Sequence, residues 1–330
     1  MARSHLTLAA LSTAAVPGID IVAATIFGTR AHNDFDSALL TDRAGHHWII
    51  RMPLNARAEA EQAADLVAIR ALSAGVRTRL PFAVSTYAGQ APVQGTRVVV
   101  YEFVYGTKVA LGSVGAELGS SIGRAIAAIH TLPTSFVTDA GLPHLTPIES
   151  LRACITIIDR AAATALVPAA LLARWEAATE ESSLWQYSPT VINGSLSAES
   201  FLTGDNEVKG VLGWQELRVG DPARDMFWLL GARGEGVAEA AFDAYNHERG
   251  GADRQVRQRA MLYAELEIAK WLLHGTDTKS TEIVDDAVDM LHRLLDSVQN
   301  DVMNPIGPQT MPTMAVDEVE QMLDRSERAI

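Results

Sequence analysis

The sequence predicts an α+β protein, with a small N-terminal antiparallel sheet followed by a larger, mainly helical C-terminal part. Three observations carry this. Apolar, β-branched runs bounded by turn residues fall mostly in the first hundred residues. From residue 113 onward apolar side chains recur at helical spacing over long stretches. One strand–turn–strand unit, 190–214, interrupts those helices. The divisions that follow are 1–104 for the sheet lobe, 105–300 for the helical lobe with its hairpin, and 301–330 for a linker and acidic tail.

Taken in order, Leu6, Leu8, Leu11 and Ala15 lie at near-helical spacing, and Val16-Pro17-Gly18 ends the run. Arg3 and the apolar stretch after it resemble a signal peptide, but that spacing favours an amphipathic N-terminal helix. Ile19 to Phe27, Ser37 to Thr41 and His47 to Arg51 read as strands, with turns at 28–34 and at Asp42-Arg43-Ala44-Gly45. Residues 56–74 are rich in helix formers and lack proline. Glu61 and Asp65 stand four apart there and share a face. Residues 96–104, TRVVVYEFV, predict a buried strand.

Helices follow over 114–130, with Leu118, Ile122, Ala125, Ile126 and Ile129 on one side, and over 147–179, divided near Val167-Pro168. Trp175 and Trp185 read as packing residues. Further helices are expected over 222–248, 253–274 and 280–299. Glu265 and Glu267 are either solvated helix carboxylates or contacts for a cationic ligand. Asn304 to Pro308 and Met311 to Met314 read as linker.

Composition narrows the function. The chain has 330 residues, 48% hydrophobic and 20% charged, enough for one large domain or two lobes. A net charge of −13 argues against nucleic acid or an anionic membrane as a partner. Cys154 is the single cysteine, so an intramolecular disulfide is excluded; a buried thiol in a reducing cytoplasm fits. No run approaches the roughly 20 apolar residues that a membrane span needs.

The most informative stretch is TVINGSLSAESFLTGDNEVKGVLGWQELRVGDPARDMFW, residues 190–228. A buried strand, Thr190 to Ile192, leads into a polar loop. Two short strands flank Gly204-Asp205-Asn206, and Gly220 to Asp225 leads into the next helix. This layout resembles the core of the aminoglycoside and macrolide phosphotransferases, which have a protein-kinase-like fold. Their core runs His-Gly-Asp-Leu, then Asn, then a hairpin ending Ile-Asp-Trp, then Gly-Asp-Pro-Ala-x-Asp-Leu. The segment NDFDSALLTDRAGHHWIIRMP is closer to the macrolide enzymes. His130, in IHTLP, matches a structural helix ending of the family.

The resemblance implies site positions that this chain fills with other residues. The family's catalytic Asp falls on Ser195, its His on Asn193, its metal-binding Asn on Ser200 and its second metal ligand, an Asp, on Gly213. Arg51 stands where kinases carry a phosphate-pairing lysine; it is either that group or an ion-paired strand end, with Glu61 or Asp65 as its acidic partner. Glu102, Phe103 and Val104 correspond to the hinge whose backbone holds a purine, so ATP or GTP is the implied nucleotide. Asp221 is expected to cap the next helix, and Asp225 to anchor the loop that carries Ser195.

Phosphoryl transfer depends on magnesium and on a carboxylate that orients the attacking hydroxyl. Ser195 and Gly213 supply neither, so weak magnesium binding, little or no kinase activity and a binding or regulatory role are expected. One alternative is an active small-molecule kinase that draws metal oxygens from Glu199 or Glu216. The other is an adaptor that meets a protein partner through 304–330. In the family the helical lobe holds the small-molecule acceptor.

Overall fold

The computed structural model describes residues 4–28, 34–300 and 306. The chain opens with α1 (His5–Ala15), whose N-cap Ser4 accepts from the Thr7 amide at 3.2 Å. β1 (Ile21–Ile26), β2 (Phe35–Asp42) and β3 (His47–Pro53) follow as an antiparallel meander. Next come α2 (Ala56–Ala71), α3 (Ala74–Arg77), the two-residue strand β4 (Ala83–Val84), β5 (Tyr87–Val93) and β6 (Thr96–Glu102). The sheet order is β1-β2-β3-β6-β5.

The valine run of β6 is buried on both faces, and the strand period divides it. Val98 and Val100 join Leu40, Ile50 and Leu8 of α1 in one cluster. Val99 and Tyr101 face the other way, with Leu66, Ile69 and Leu72 of α2, in the main core. α1 reaches the sheet at Gly89, where an added Cβ would lie 2.0 Å from the Ala15 carbonyl oxygen.

The remainder is mainly helical: β7 (Thr107–Lys108), α4 (Ala116–His130), α5 (Ser135–Asp139), α6 (Pro147–Ala163) and α7 (Ala169–Glu180). Then β8 (Thr190–Ile192), β9 (Phe201–Gly204), β10 (Glu207–Val211) and β11 (Arg218–Gly220) precede α8 (Val237–Glu248), α9 (Val256–Thr278) and α10 (Thr281–Asn300). α6 starts with a reciprocal Thr146–Glu149 capping box and Pro147 in its first turn. One sheet runs β4-β10-β9-β7, and β11 pairs with β8.

The helix expected over 222–248 is corrected. Short 3₁₀ turns, Pro222–Asp225 and Phe227–Gly231, occupy its first half, and α8 begins only after Gly236 at φ 68°. Gly231, Gly234 and Gly236 together lower helix propensity there. No described helix is long and apolar enough to cross a membrane. The adaptor segment 304–330 lies outside the described residues, save Ile306, which is buried in the main core. The turn at 28–34 is likewise described only at its ends.

Candidate active site

The loop after β8 is held from below by one carboxylate. Asp225 is fully buried; its Oδ2 accepts from the Asn193 amide and its Oδ1 from the Gly194 amide, each at 2.7 Å. His130 Nε2 meets the same Oδ2 at 3.2 Å, and His130 Nδ1 lies 2.9 Å from the Tyr245 hydroxyl. Such charge-assisted bonds are about twice as strong as neutral ones. The turn itself requires glycine: Gly194 has φ 87°, and a Cβ there would lie 2.6 Å from the Glu216 carbonyl oxygen.

Above that anchor the loop carries a neutral network. Asn193 Nδ2 donates to the Gly213 carbonyl at 2.8 Å, while Asn193 Oδ1 accepts from the Ser195 amide and hydroxyl, each at 3.2 Å. Gln215 Nε2 donates to Ser195 Oγ at 3.3 Å. Ser195 Oγ thus both donates and accepts within the loop. Gly213 has φ 74°, and a Cβ on it would come within 3.3 Å of Gln215 Oε1. Ser195, Asn193 and Gly213 are therefore brought together, closed over by Gln215. That glutamine had no sequence signal, since it lies just outside the family pattern.

The remaining candidate metal donors are otherwise engaged or exposed. Ser200 Oγ accepts from the Ser197 amide at 3.1 Å in a capping box. Glu216 forms an exposed ion pair with Arg218. Glu199 is exposed in the middle of a 3₁₀ turn, Ala198–Ser200. Among the described residues no group of three or more His, Cys, Asp or Glu side chains is placed to share a metal ion. These residues do not fit a magnesium site of the kind the family pattern describes.

On the sheet side, Asp65 is buried and Oδ1 accepts from the Trp214 amide at 2.8 Å, tying α2 to the residue after Gly213. Burial raises its carboxyl above the ordinary value, partly offset by this bond and by Arg51; Glu61 adds to the rise. Arg51 stacks on the Phe35 ring, 3.9 Å from its centroid, and neither Glu61 nor Asp65 is within ion-pair distance of it.

At the hinge positions, the Glu102 amide donates to the Thr86 carbonyl at 2.9 Å and the Phe103 amide to the His47 carbonyl at 3.1 Å. Phe103 packs edge-on against Phe27, His47 and Tyr105. Glu102, Phe103 and Val104 line an open cleft of about 650 Å³, to which Arg51, Asp65 and Ser195 do not contribute.

Two acidic clusters buttress the helical side. Asp221 caps its turn by accepting from the Ala223 amide at 2.9 Å, and it also accepts from Arg259 Nε (2.8 Å), Arg259 Nη2 (3.0 Å) and the Tyr263 hydroxyl (2.8 Å). No local pattern pointed to Arg259, a fully buried cation on α9. Glu265 is neither solvated nor open to a ligand: it is buried, bidentate to Arg174, and accepts from Trp175 Nε1 at 2.8 Å. Glu267 pairs with Lys270 and, at 3.5 Å, with Arg224.

Comparison with known proteins agrees with this architecture. Macrolide 2'-phosphotransferase MphH from Brachybacterium faecium superposes with a TM-score of 0.69 at 19% identity, covering 87% of this chain and 98% of that one. A macrolide 2'-phosphotransferase type I gives 0.67 at 23% identity, covering 87% and 95%. The GDP and kanamycin complex of APH(2")-IIIa gives 0.69 at 17%, covering 89% and 99%. These likenesses establish the kinase-like fold. No curated protein matches in sequence. Residues 28–263 match the phosphotransferase enzyme family, APH, and the chain belongs to that family.

Proposed function

We propose that this chain is a non-catalytic or nearly non-catalytic member of its family, which keeps the phosphotransferase fold to bind small molecules. The observation that carries the reading is the neutral closure of the reaction centre. Ser195 Oγ donates to Asn193 and accepts from Gln215, with no carboxylate in the network to take a proton from an acceptor hydroxyl. General-base assistance is typically worth roughly 10²–10⁴ in rate. The metal's charge stabilisation is worth several kcal/mol more, and Ser200 and Gly213 bring no carboxylate for it.

Within this reading, 1–104 and 105–300 act as two lobes. The hinge residues Glu102, Phe103 and Val104 face a nucleotide, ATP or GTP, held without magnesium, while Arg51, Glu61 and Asp65 stand outside that cleft. The APH(2")-IIIa complex contains GDP and kanamycin, which supports a nucleotide and a small-molecule site in the shared fold. The small molecule belongs to the helical lobe. The single buried thiol, Cys154, suits a cytoplasmic location. Glu216, paired to Arg218, and exposed Glu199 lend little support to a relocated metal site.

Two measurements test this. Thermal-shift titrations with ATP and GTP, with and without magnesium, read nucleotide binding through mass action. A phosphate-transfer assay on macrolides and aminoglycosides reads chemistry. The expected result is a metal-independent shift and no turnover. Magnesium-dependent turnover that disappears in Glu199→Ala or on replacing Ser195 would overturn the reading.

A further inference from the structure

We infer that the helical lobe binds a small organic anion, a carboxylate on a compact apolar body, in the cavity between α6, α9 and the β8–β11 ribbon. This deepens the proposed small-molecule role and rests on it, but it does not depend on the nucleotide. The cavity has a volume of about 160 Å³. A protein cavity of about 150 Å³ is large enough for benzene.

The floor is apolar. Ile192, Leu266, Cys154 and Tyr263 line it and are all buried. Burial pushes the Cys154 thiol up to about 12, so the sulfur is uncharged at neutral pH and behaves as a small apolar group.

The mouth is cationic. Arg218, Arg224 and Lys270 all line the cavity and are partly exposed. Arg218 has its own partner in Glu216. Arg224 and Lys270 share one carboxylate oxygen, Glu267 Oε1. Two cations with eight N–H donors between them thus share a single carboxylate oxygen at the rim, and a ligand carboxylate placed between them accepts from donors that Glu267 leaves unused. Asp221 is the one acid lining the cavity. Its Oδ1 accepts from Ala223 and Arg259, and its Oδ2 from Arg259 and Tyr263, so both oxygens are already engaged inside the protein; Arg259 is shared with Asp253.

Size and charge therefore select the same ligand class. An apolar ring fills the floor while its carboxylate stays at the rim, and an amine of the same shape meets the Arg224 and Lys270 cations there. Gly194 also lines the cavity, so the ligand sits directly behind the loop that bears Ser195.

The test is thermal shift and calorimetric titration of the full chain with benzoate, benzyl alcohol and benzylamine at millimolar concentration. Benzoate is expected to raise Tm and benzylamine to leave it unchanged. Lys270→Gln and Arg224→Gln should each weaken benzoate about tenfold, the scale of one hydrogen bond to a charged group. Ala153→Phe, on an exposed position of α6 at the cavity rim, should block binding while preserving the fold. Silence with benzoate, equal binding of benzylamine, or benzoate binding that survives both Ala153→Phe and Lys270→Gln overturns the inference. Any of these with the expected nucleotide shift and no turnover leaves the non-catalytic reading standing; turnover with benzoate binding as expected removes that reading alone.

Discussion

Asp225→Asn isolates how the loop bearing Ser195 is held. In the native site one carboxylate accepts from two backbone amides and faces His130. Asparagine keeps one acceptor oxygen and replaces the other with an NH₂ donor. If the oxygen stays at the Oδ2 position, Asn193 and His130 keep their partner while the Gly194 amide faces another donor. A buried donor left without a partner costs about 1–3 kcal/mol. The surviving bonds also lose their charge assistance, which roughly halves them. The sum is about 2–4 kcal/mol, out of a typical total of roughly 5–15 kcal/mol. For a chain of 330 residues about 1.4 °C is lost per kcal/mol, so Tm should fall by about 3–6 °C. Thermal and urea unfolding measure this, and hydrogen exchange at the Gly194 amide reports the local origin. A Tm within a degree of wild type, with Gly194 protection unchanged, would refute the idea that Asp225 holds the loop.

Three further outcomes follow from the same geometry. Asp65→Asn retains the acceptor for the Trp214 amide but cannot ionise. Because burial raises the native Asp65 carboxyl, the folded state holds that proton more tightly than the unfolded chain, and wild-type stability declines as pH rises above the unfolded value near ~3.9. The variant should therefore have the higher Tm at pH 7, with the difference closing below about pH 4; a lower Tm at pH 7 would contradict this. Ser195→Asp places a carboxylate against Asn193 Oδ1, whose amide nitrogen is fixed on Gly213. It should lower Tm without creating phosphate transfer, and turnover from that single change would show that missing metal ligands are not limiting. Glu265→Ala removes the carboxylate that accepts from Arg174 and leaves the buried Trp175 Nε1 without its acceptor, and should cost about 1–3 kcal/mol in unfolding experiments. A loss under 1 kcal/mol would mean that water replaces the carboxylate there.

The parts of this molecule that could be read from the sequence are those set by local pattern. The Val98–Val100 run announced a buried strand, and the Leu118 to Ile129 spacing announced α4. β5 went unread because Gly89 and Pro92 both weaken strand character; Gly89 is there for α1, and Pro92 is tolerated on an edge strand. The 222–248 helix failed for a similar reason, since its first turns are bent to carry Asp221 and Asp225 to their partners. At the site, the loop positions were visible through a fixed spacing. What closes them was not: Gln215, Arg259 and the Glu265–Arg174 pair act through contacts 20 to 91 residues apart, a kind of information no local pattern holds.

The two classes of site position differ in what the fold asks of them. Asp225 binds backbone amides, Asp221 neutralises a buried arginine and Asp65 joins α2 to Trp214. Each loses partners inside the protein if it is replaced. The positions of Ser195 and Gly213 have no such obligation: Gly213 contributes only backbone, and Ser195 bonds only to other neutral loop side chains. A carboxylate there would be held by ligand and metal alone, so its loss costs the fold nothing. On the non-catalytic reading proposed above, the architecture of a phosphotransferase persists around a neutral hydrogen-bond network.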